Sequence, residues 1–288
     1  MDGTLLNEKH EVSELSLKAI EKLEKKNIRL IISTGRHYTG AMKALEKYNI
    51  KCDYIVASGA EVRDQEGKVL KQIPMDHSNF QEIVDRIKEF KAAVRFCSDE
   101  YDYMLGTEEE IRKNTLLEAQ YFFHTGTSEE LETSEIFQQR LAKIKCIDSV
   151  EDLKSLNITI YKIFIFGYEE AVIHEMDKVL SPVKGIVSAS SFPTNLELTH
   201  INAQKGIALK EYIEKLGYRG GEVMVLGDSM NDYSMLSMDF GATVAMENAM
   251  KEIKKVAKYM TKSNIEDGFA YAIEKMLSNE LEDLRIKR

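Results

Sequence analysis

The sequence predicts an α/β protein: a doubly wound, mostly parallel sheet with a separate α+β unit inserted into it. Three stretches carry that expectation. Ile28 to Ile32 is an apolar run that ends in Ser33-Thr34-Gly35-Arg36, a helical pattern follows (Ala41, Leu45, Tyr48), and Tyr54 to Ala57 is a second apolar run ending in Ser58-Gly59. Strand, helix and strand with turn residues at each strand's end mark parallel pairing through crossover helices. From Ala60 to about 190 the alternation is lost, and after Leu196-Glu197-Leu198 it resumes. It culminates in Val223-Met224-Val225-Leu226, a buried strand that stops abruptly at Gly227-Asp228.

Length and composition bound the function. The chain has 288 residues, 43% hydrophobic and 30% charged, with a formal net charge of −9. That is enough for one large or two modest domains, each with its own core. Acidic and basic residues are interspersed, which disfavours a nucleic-acid partner. No apolar run approaches the ~20 residues of a membrane span, so no membrane partner is expected. Cys52, Cys97 and Cys146 form no CxxC pair, and buried free thiols in a reducing cytoplasm are the expectation.

Taken in order, Met1-Asp2-Gly3-Thr4 is turn chemistry with no strand ahead of it, as though the chain opens in mid-motif. Ser13 can cap a helix through Leu17, Ile20 and Leu23 that ends near Lys25-Lys26-Asn27. Beyond the second strand, residues 60–64 and 68–73 read as a hairpin around Gln65-Glu66-Gly67. Ser78 is expected to cap a helix carrying Phe80, Ile83, Val84, Ile87 and Phe90. Short strands (Val94 to Cys97, Tyr101 to Leu105, Thr159 to Phe166) alternate irregularly with helices, one of which passes through Ile173, Met176 and Val179. The polar tract Thr125 to Glu135 reads as a surface loop or helix start. Lys205-Gly206 opens a helix that ends at Leu216-Gly217. After the Val223 strand come a short helix (to Leu236), a strand (Thr243 to Met246), a helix (Ala249 to Tyr259), Asp267-Gly268 with a terminal helix, and a frayed charged end from Glu280.

Asp228 and Asp232 sit at the C-terminal end of a buried strand, the edge where open α/β sheets bind ligands and where oxygen ligands can hold a hard cation. The plain alternative is a Gly-Asp-Ser turn followed by helix-capping Asn231 and Asp232. Lys205 at a helix start opposes the macrodipole by about 0.3–1 kcal/mol, a conflict that an adjacent anion would remove.

Set side by side, Asp2-Gly3-Thr4, Ser33-Thr34-Gly35-Arg36, Lys205-Gly206 and Gly227-Asp228-Ser229-Met230-Asn231-Asp232 resemble the haloacid dehalogenase (HAD) phosphohydrolase superfamily, in its Cof-like type IIB subfamily. Asn248-Ala249, Asn264 and Asp267-Gly268 also match that pattern, and the likeness runs to about residue 275. The resemblance implies a Rossmann-like core (residues 1–77 and 191–288) with an inserted type C2B cap (78–190) that closes over the substrate and selects the leaving group. It implies Mg²⁺-dependent hydrolysis of a small phosphorylated metabolite, such as a sugar phosphate, through an aspartyl-phosphate. Asp2 would be general acid and base and lend its backbone carbonyl to Mg²⁺, and Asp228 would be a carboxylate ligand of the ion. Asn231 and Asp232 would hold waters, ligand or substrate next to it. Thr34, the Gly35 amide, Lys205 and Asn231 would grip phosphate oxygens, and Arg36 would face substrate or cap. A cytoplasmic monomer or weak homodimer is expected.

Two departures stand out. The family's attacking aspartate lies two residues before the position of Asp2, ahead of Met1, at the end of an apolar strand between those from Ile28 and Val223. The expectation is therefore an inactive or very weak catalyst unless that strand and aspartate are restored. Ser58 stands where the family has Asn. A catalytically inactive binding or regulatory protein and a phosphotransferase or mutase remain the alternatives. A P-loop NTPase is excluded by the lack of GxxxxGK[ST].

Overall fold

The computed structural model describes residues 1–123 and 127–287. The chain divides into two compact units, Met1–Ile73 with Asn202–Arg288, and Pro74–Ile201. Among the described residues no helix is long and apolar enough to cross a membrane. Thr125 lies outside the described residues.

In the first unit α1 (Glu14–Lys25) begins as the sequence indicates, with the Ser13 hydroxyl accepting from the Ser16 N–H at 3.1 Å. It ends before Asn27, whose φ of 54° is the left-handed turn that Asn tolerates. β1 (Ile31–Ser33), α2 (Tyr38–Leu45) and β2 (Asp53–Val56) follow, and β1 pairs with β2 in parallel, Ile32 opposite Tyr54. β3 (Glu61–Arg63) and β4 (Val69–Gln72) add an antiparallel hairpin, giving the sheet order β1-β2-β3-β4.

The second unit contains α3 (Phe80–Ile87), β5 (Ala92–Cys97), β6 (Asp102–Leu105), α4 (Glu108–Phe123), α5 (Ser128–Thr133) and α6 (Glu135–Leu141). It continues with β7 (Ile144–Ile147), α7 (Val150–Ser155), β8 (Lys162–Gly167), α8 (Glu170–Leu180), β9 (Ile186–Ala189) and β10 (Asn195–His200). These strands form one sheet in the order β7-β6-β5-β8-β10-β9, antiparallel except for β6 and β7. The two-residue alternation of β8 separates the faces: Ile163 and Ile165 pack with Phe80, Phe96 and Met176, whereas Lys162 faces Glu197 at 3.2 Å.

The first unit resumes with α9 (Lys205–Lys215), β11 (Met224–Gly227), α10 (Tyr233–Leu236), β12 (Ala242–Ala245), α11 (Lys251–Val256), β13 (Tyr259–Met260) and α12 (Gly268–Leu277). β11, β12 and β13 form a parallel sheet in that order. β1 and β11 are each the edge of their sheet, and a cavity of about 330 Å³ lies between them, lined by Met1, Leu30, Ile32, Leu226 and Phe269 among others. The Asp53 N–H donates to the Leu30 carbonyl and the Thr34 N–H to the Ile55 carbonyl. Parallel-ladder alternation therefore turns the backbone groups of Ile31 and Ser33 away from β2 and toward this cavity. The Met1 ammonium donates to the Ser33 carbonyl at 3.4 Å.

Several sequence expectations need correction. The strand expected from Ile28 forms only at Ile31, and it is partly rather than fully buried because the cavity lies along its outer edge. The expected seam at residue 191 falls later: β10 pairs with β8 and β9, which puts residues 195–201 in the second unit. Asp76, not Ser78, supplies the cap before α3, since its carboxylate accepts the Ser78 N–H at 2.9 Å. The helix expected to reach Tyr259 stops at Val256 because Tyr259 is needed in β13. The charged end is not frayed: it makes a 3₁₀ turn (Leu281–Leu284) and the Tyr259 hydroxyl donates to Glu282 at 2.8 Å. Cys146 is exposed on edge strand β7, whereas Cys52 and Cys97 are buried.

At the N-terminal ends of β1 and β2 the Arg29 guanidinium pairs with Asp53, whose side chain is 0% exposed. Removing one partner strands a buried charge. Arg29→Ala should lower the unfolding free energy by about 3 kcal/mol, measured by urea denaturation followed by circular dichroism.

Candidate functional site

The ends of β1 and β11 and the start of α9 bring the sequence-singled residues of the first unit into one cluster. Lys205 is the first residue of α9 and only 3% exposed. Its ammonium donates to Asn231 Oδ1 and to Asp232 Oδ1, both at 2.7 Å. The anion that offsets the lysine's unfavourable place at a helix start is thus Asp232, itself buried. Burial alone would raise the Asp232 carboxyl, and the Lys205 charge and hydrogen bond more than offset this, holding it below the usual carboxylate range. The other Asp232 oxygen accepts the N–H groups of Asp228 (3.0 Å) and Ser229 (3.3 Å), closing the turn after β11. Gly206 is required beside the lysine because a β-carbon there would collide with the Ser234 backbone of α10.

Asp228 lies against the start of the chain. Thr4 Oγ1 donates to Asp228 Oδ1 at 2.6 Å. Gly3 has φ +65°, and a β-carbon on it would collide with the Asp228 carboxylate, so only glycine permits this approach. Burial first, and then the charge of Asp232, push the Asp228 carboxyl up to about 6. Among the described residues no lysine, arginine or histidine forms an ion pair with it. The buried Met1 ammonium shares this neighbourhood: burial lowers its pKa first and Lys205 second, while Asp232, Asp2 and Asp228 act in the opposite sense.

Asp2 is differently placed. Its carboxylate receives the Arg36 fork at 2.9 and 2.5 Å, and His10 Nδ1 stands 3.5 Å away. Burial would raise the carboxyl, but hydrogen bonds from His10 and Arg36 and the Arg36 charge hold it well below the usual range. In this arrangement Asp2 is an acceptor and not a ready acid. Arg36, expected to face substrate or cap, makes this bidentate pair within its own unit. Nothing in the spacing of residues 2 and 36 foretold it.

Thr34 is 2% exposed. Its hydroxyl accepts the Arg36 N–H at 3.2 Å, which leaves the hydroxyl hydrogen to donate. Its carbonyl accepts the Ser58 N–H at 3.1 Å, so Gly35 and Arg36 turn over the 57–59 bend. Ser58 has φ 59°, a conformation asparagine tolerates better, which gives a physical reason for the Asn found there in the related pattern. Sequence reasoning passed over His10, Thr4 as a partner of Asp228, and the hydrogen-bonding work of Asn248 and Asn264. Thr4 carried a signal as a hydroxyl two residues after Asp2, and Asn248 and Asn264 only through their match to the family-like C-terminal pattern.

Carboxylates gathered round a buried lysine at parallel strand ends define a class, the α/β proteins that bind ligands at the C-terminal edge of a sheet. The chain belongs, more particularly, to the haloacid dehalogenase-like hydrolase family, whose model matches residues 1–273. It is similar to the phosphatase YwpJ of Bacillus subtilis, 29% identical over 96% of this chain and 98% of that protein. It is also similar to the 5-amino-6-(5-phospho-D-ribitylamino)uracil phosphatase YcsE of the same organism, 29% identical over 95% and 92%. A solved haloacid dehalogenase-like hydrolase from B. subtilis shares 27% of its sequence and superposes with a TM-score of 0.80 over 94% of this chain and 96% of that one. A subclass IIB sugar phosphatase of the same superfamily, 22% identical with a TM-score of 0.74 over 96% of both chains, shows the same fold. The α/β core with an inserted α+β unit is thus the fold these solved structures share.

The Asp228 carboxyl keeps its proton to about pH 6 in the folded chain against 3.8 in the free side chain. An acid whose pKa is raised by folding opposes folding above the folded value, and the penalty fades as pH falls from about 6 toward about 4. Asp228→Asn should therefore be more stable than the parent at pH 7.5 without divalent cations, by on the order of 2 kcal/mol. The gap should close near pH 4 in urea denaturation.

Proposed function

We propose that this protein is a magnesium-dependent phosphatase for small phosphate monoesters, sugar phosphates or similar metabolites. The observation that carries the reading is the Asp228 carboxyl: half-buried, beside Asp232, with a hydroxyl as its hydrogen-bond partner and no cation paired to it among the described residues. A half-buried carboxylate so placed suits an oxygen-seeking divalent ion. The Asp228 carboxylate and the Asp2 backbone carbonyl would hold it, with Asn231 and Asp232 next to it. Bound there, magnesium supplies positive charge against the phosphate dianion.

The chain's own residues account for the rest. Two of the three Lys205 ammonium hydrogens are used by Asn231 and Asp232, and the third would donate to a phosphate oxygen. The Thr34 hydroxyl and the Gly35 N–H add neutral donors. By the family resemblance the attacking carboxylate stands two residues before Asp2 and takes the phosphoryl group as the P–O bond to the leaving oxygen breaks. Asp2 gives that oxygen a proton and then takes one from the water that cleaves the aspartyl-phosphate. Since Asp2 is held as a carboxylate by Arg36, substrate must draw Arg36 away before Asp2 can carry a proton. The second unit is proposed as the cap that selects the leaving group. The ribitylamino-uracil phosphatase name of one relative makes phosphorylated polyols a first class to try.

The test is a screen of sugar and polyol phosphates with and without Mg²⁺, on the 288-residue chain and on a version extended ahead of Met1 by an apolar strand whose last residue, directly before Met1, is Asp. The extension should raise turnover by on the order of 10³ or more. Equal rates would place the nucleophile elsewhere, and transfer to an added sugar in place of water would make the protein a phosphotransferase. Millimolar Mg²⁺ should also raise the thermal midpoint of the parent and leave that of Asp228→Asn nearly unmoved, because an ion that binds only the folded state stabilises it.

A further inference from the structure

Besides the Arg36 fork on Asp2 itself, three further side-chain hydrogen bonds tether the loop that carries Asp2 among the described residues, and two of them come from residues to which the proposed chemistry gives no part. Asn248 Nδ2 donates to the Gly3 carbonyl at 2.9 Å. Asn264 Nδ2 donates to the Leu6 carbonyl, also at 2.9 Å. The two asparagines are linked, because the Asn264 backbone N–H donates to Asn248 Oδ1 at 3.0 Å. The third tether is the Thr4 hydroxyl on Asp228.

Residues 1–6 form a tight turn in which the N–H groups of Leu5 and Leu6 converge on the Met1 carbonyl at 2.9 and 3.0 Å. That geometry points the Gly3 and Leu6 carbonyls outward, and the asparagine amides meet them there. Each asparagine is anchored at a strand end. Asn248 follows β12 on a segment whose Met246 N–H donates to the Gly227 carbonyl and whose Met250 N–H donates to the Asp228 carbonyl. Asn264 follows β13 on a turn braced by the Ser263 hydroxyl on Glu266 at 2.6 Å and the Thr261 hydroxyl on the Gly268 carbonyl at 2.7 Å. The start of the chain is thereby fixed to the ends of all three strands of the β11-β12-β13 sheet. With Gly3 in van der Waals contact with the Asp228 carboxylate, a small rotation of the turn moves Asp2 relative to Asp228.

We propose that Asn248 and Asn264 are positioning residues, a two-amide clamp that holds the Asp2-Gly3-Thr4 turn in register with Asp228. The inference rests on the reading that Asp2 and Asp228 hold the ion. The clamp needs an N–H₂ donor at each position, so an aspartate of equal size does not replace it.

The test uses the full chain with Asn248→Ala, Asn264→Ala, Asn248→Asp and Asn264→Asp, by hydrogen exchange and by calorimetric titration with MgCl₂. In all four variants the amides of residues 4–6 should exchange about ten-fold faster, while those of β12 and α9 exchange as in the parent, which shows that the fold is kept. Mg²⁺ binding should weaken by about ten-fold. Parent-like exchange of residues 4–6 in both alanine variants, or its restoration by the aspartates, overturns the clamp. A parent that binds no Mg²⁺ overturns the magnesium reading instead, and the exchange rates still decide the clamp.

Discussion

A lysine ammonium cannot be left bare inside a protein, and the way this chain satisfies Lys205 sets the geometry of its whole cluster. Asp232 answers the charge with one oxygen and uses the other to close the turn after β11. A single carboxylate therefore ties the start of α9 to the end of a strand and orients the Asp228 backbone. Removing either partner would leave a buried charge uncompensated, which is why such pairs tolerate little change. Glycine at 206 lets α9 approach α10 closely enough for the contact to form.

That arrangement explains why neighbouring carboxylates behave differently. Asp232 has a lysine, Asp2 has an arginine fork, and both are held as anions. Asp228 has a threonine hydroxyl and an anionic neighbour, so its proton is retained to about pH 6. Chemically equivalent side chains within one turn of chain thus divide into a structural anion and a group that wants a cation. The affinity of such a site for a divalent ion comes from what the fold leaves unpaired as much as from what it places there.

The turn of residues 1–6 shows how a segment without a strand or helix of its own can be placed accurately. It packs Met1, Leu5 and Leu6 into the core shared by α1, α2 and α12, and its carbonyls are met by amides from far along the chain. Hydrophobic burial gives it a place but no register, since apolar contact is not directional. Hydrogen bonds supply the register. The unfilled space between the edges of β1 and β11 adjoins this turn, and the partial burial of β1 follows from it.

What could be read from the sequence was local and periodic. Helix starts such as Ser13 and Lys205, the four-residue burial of β2, and the delivery of Asp228 to a strand end follow from side-chain spacing and from turn chemistry, which act within a few residues. The likeness of four short segments to one family could be read for the same reason, because each is a continuous run. The assignment of β10 to the sheet of the second unit, the strand at Tyr259, the fork of Arg36 on Asp2 and the amides of Asn248 and Asn264 on the first turn were settled only by tertiary structure. Each of these joins residues distant in sequence or one of two locally equal alternatives, and what decides between them is which backbone edge or buried acceptor stands opposite once the chain has folded.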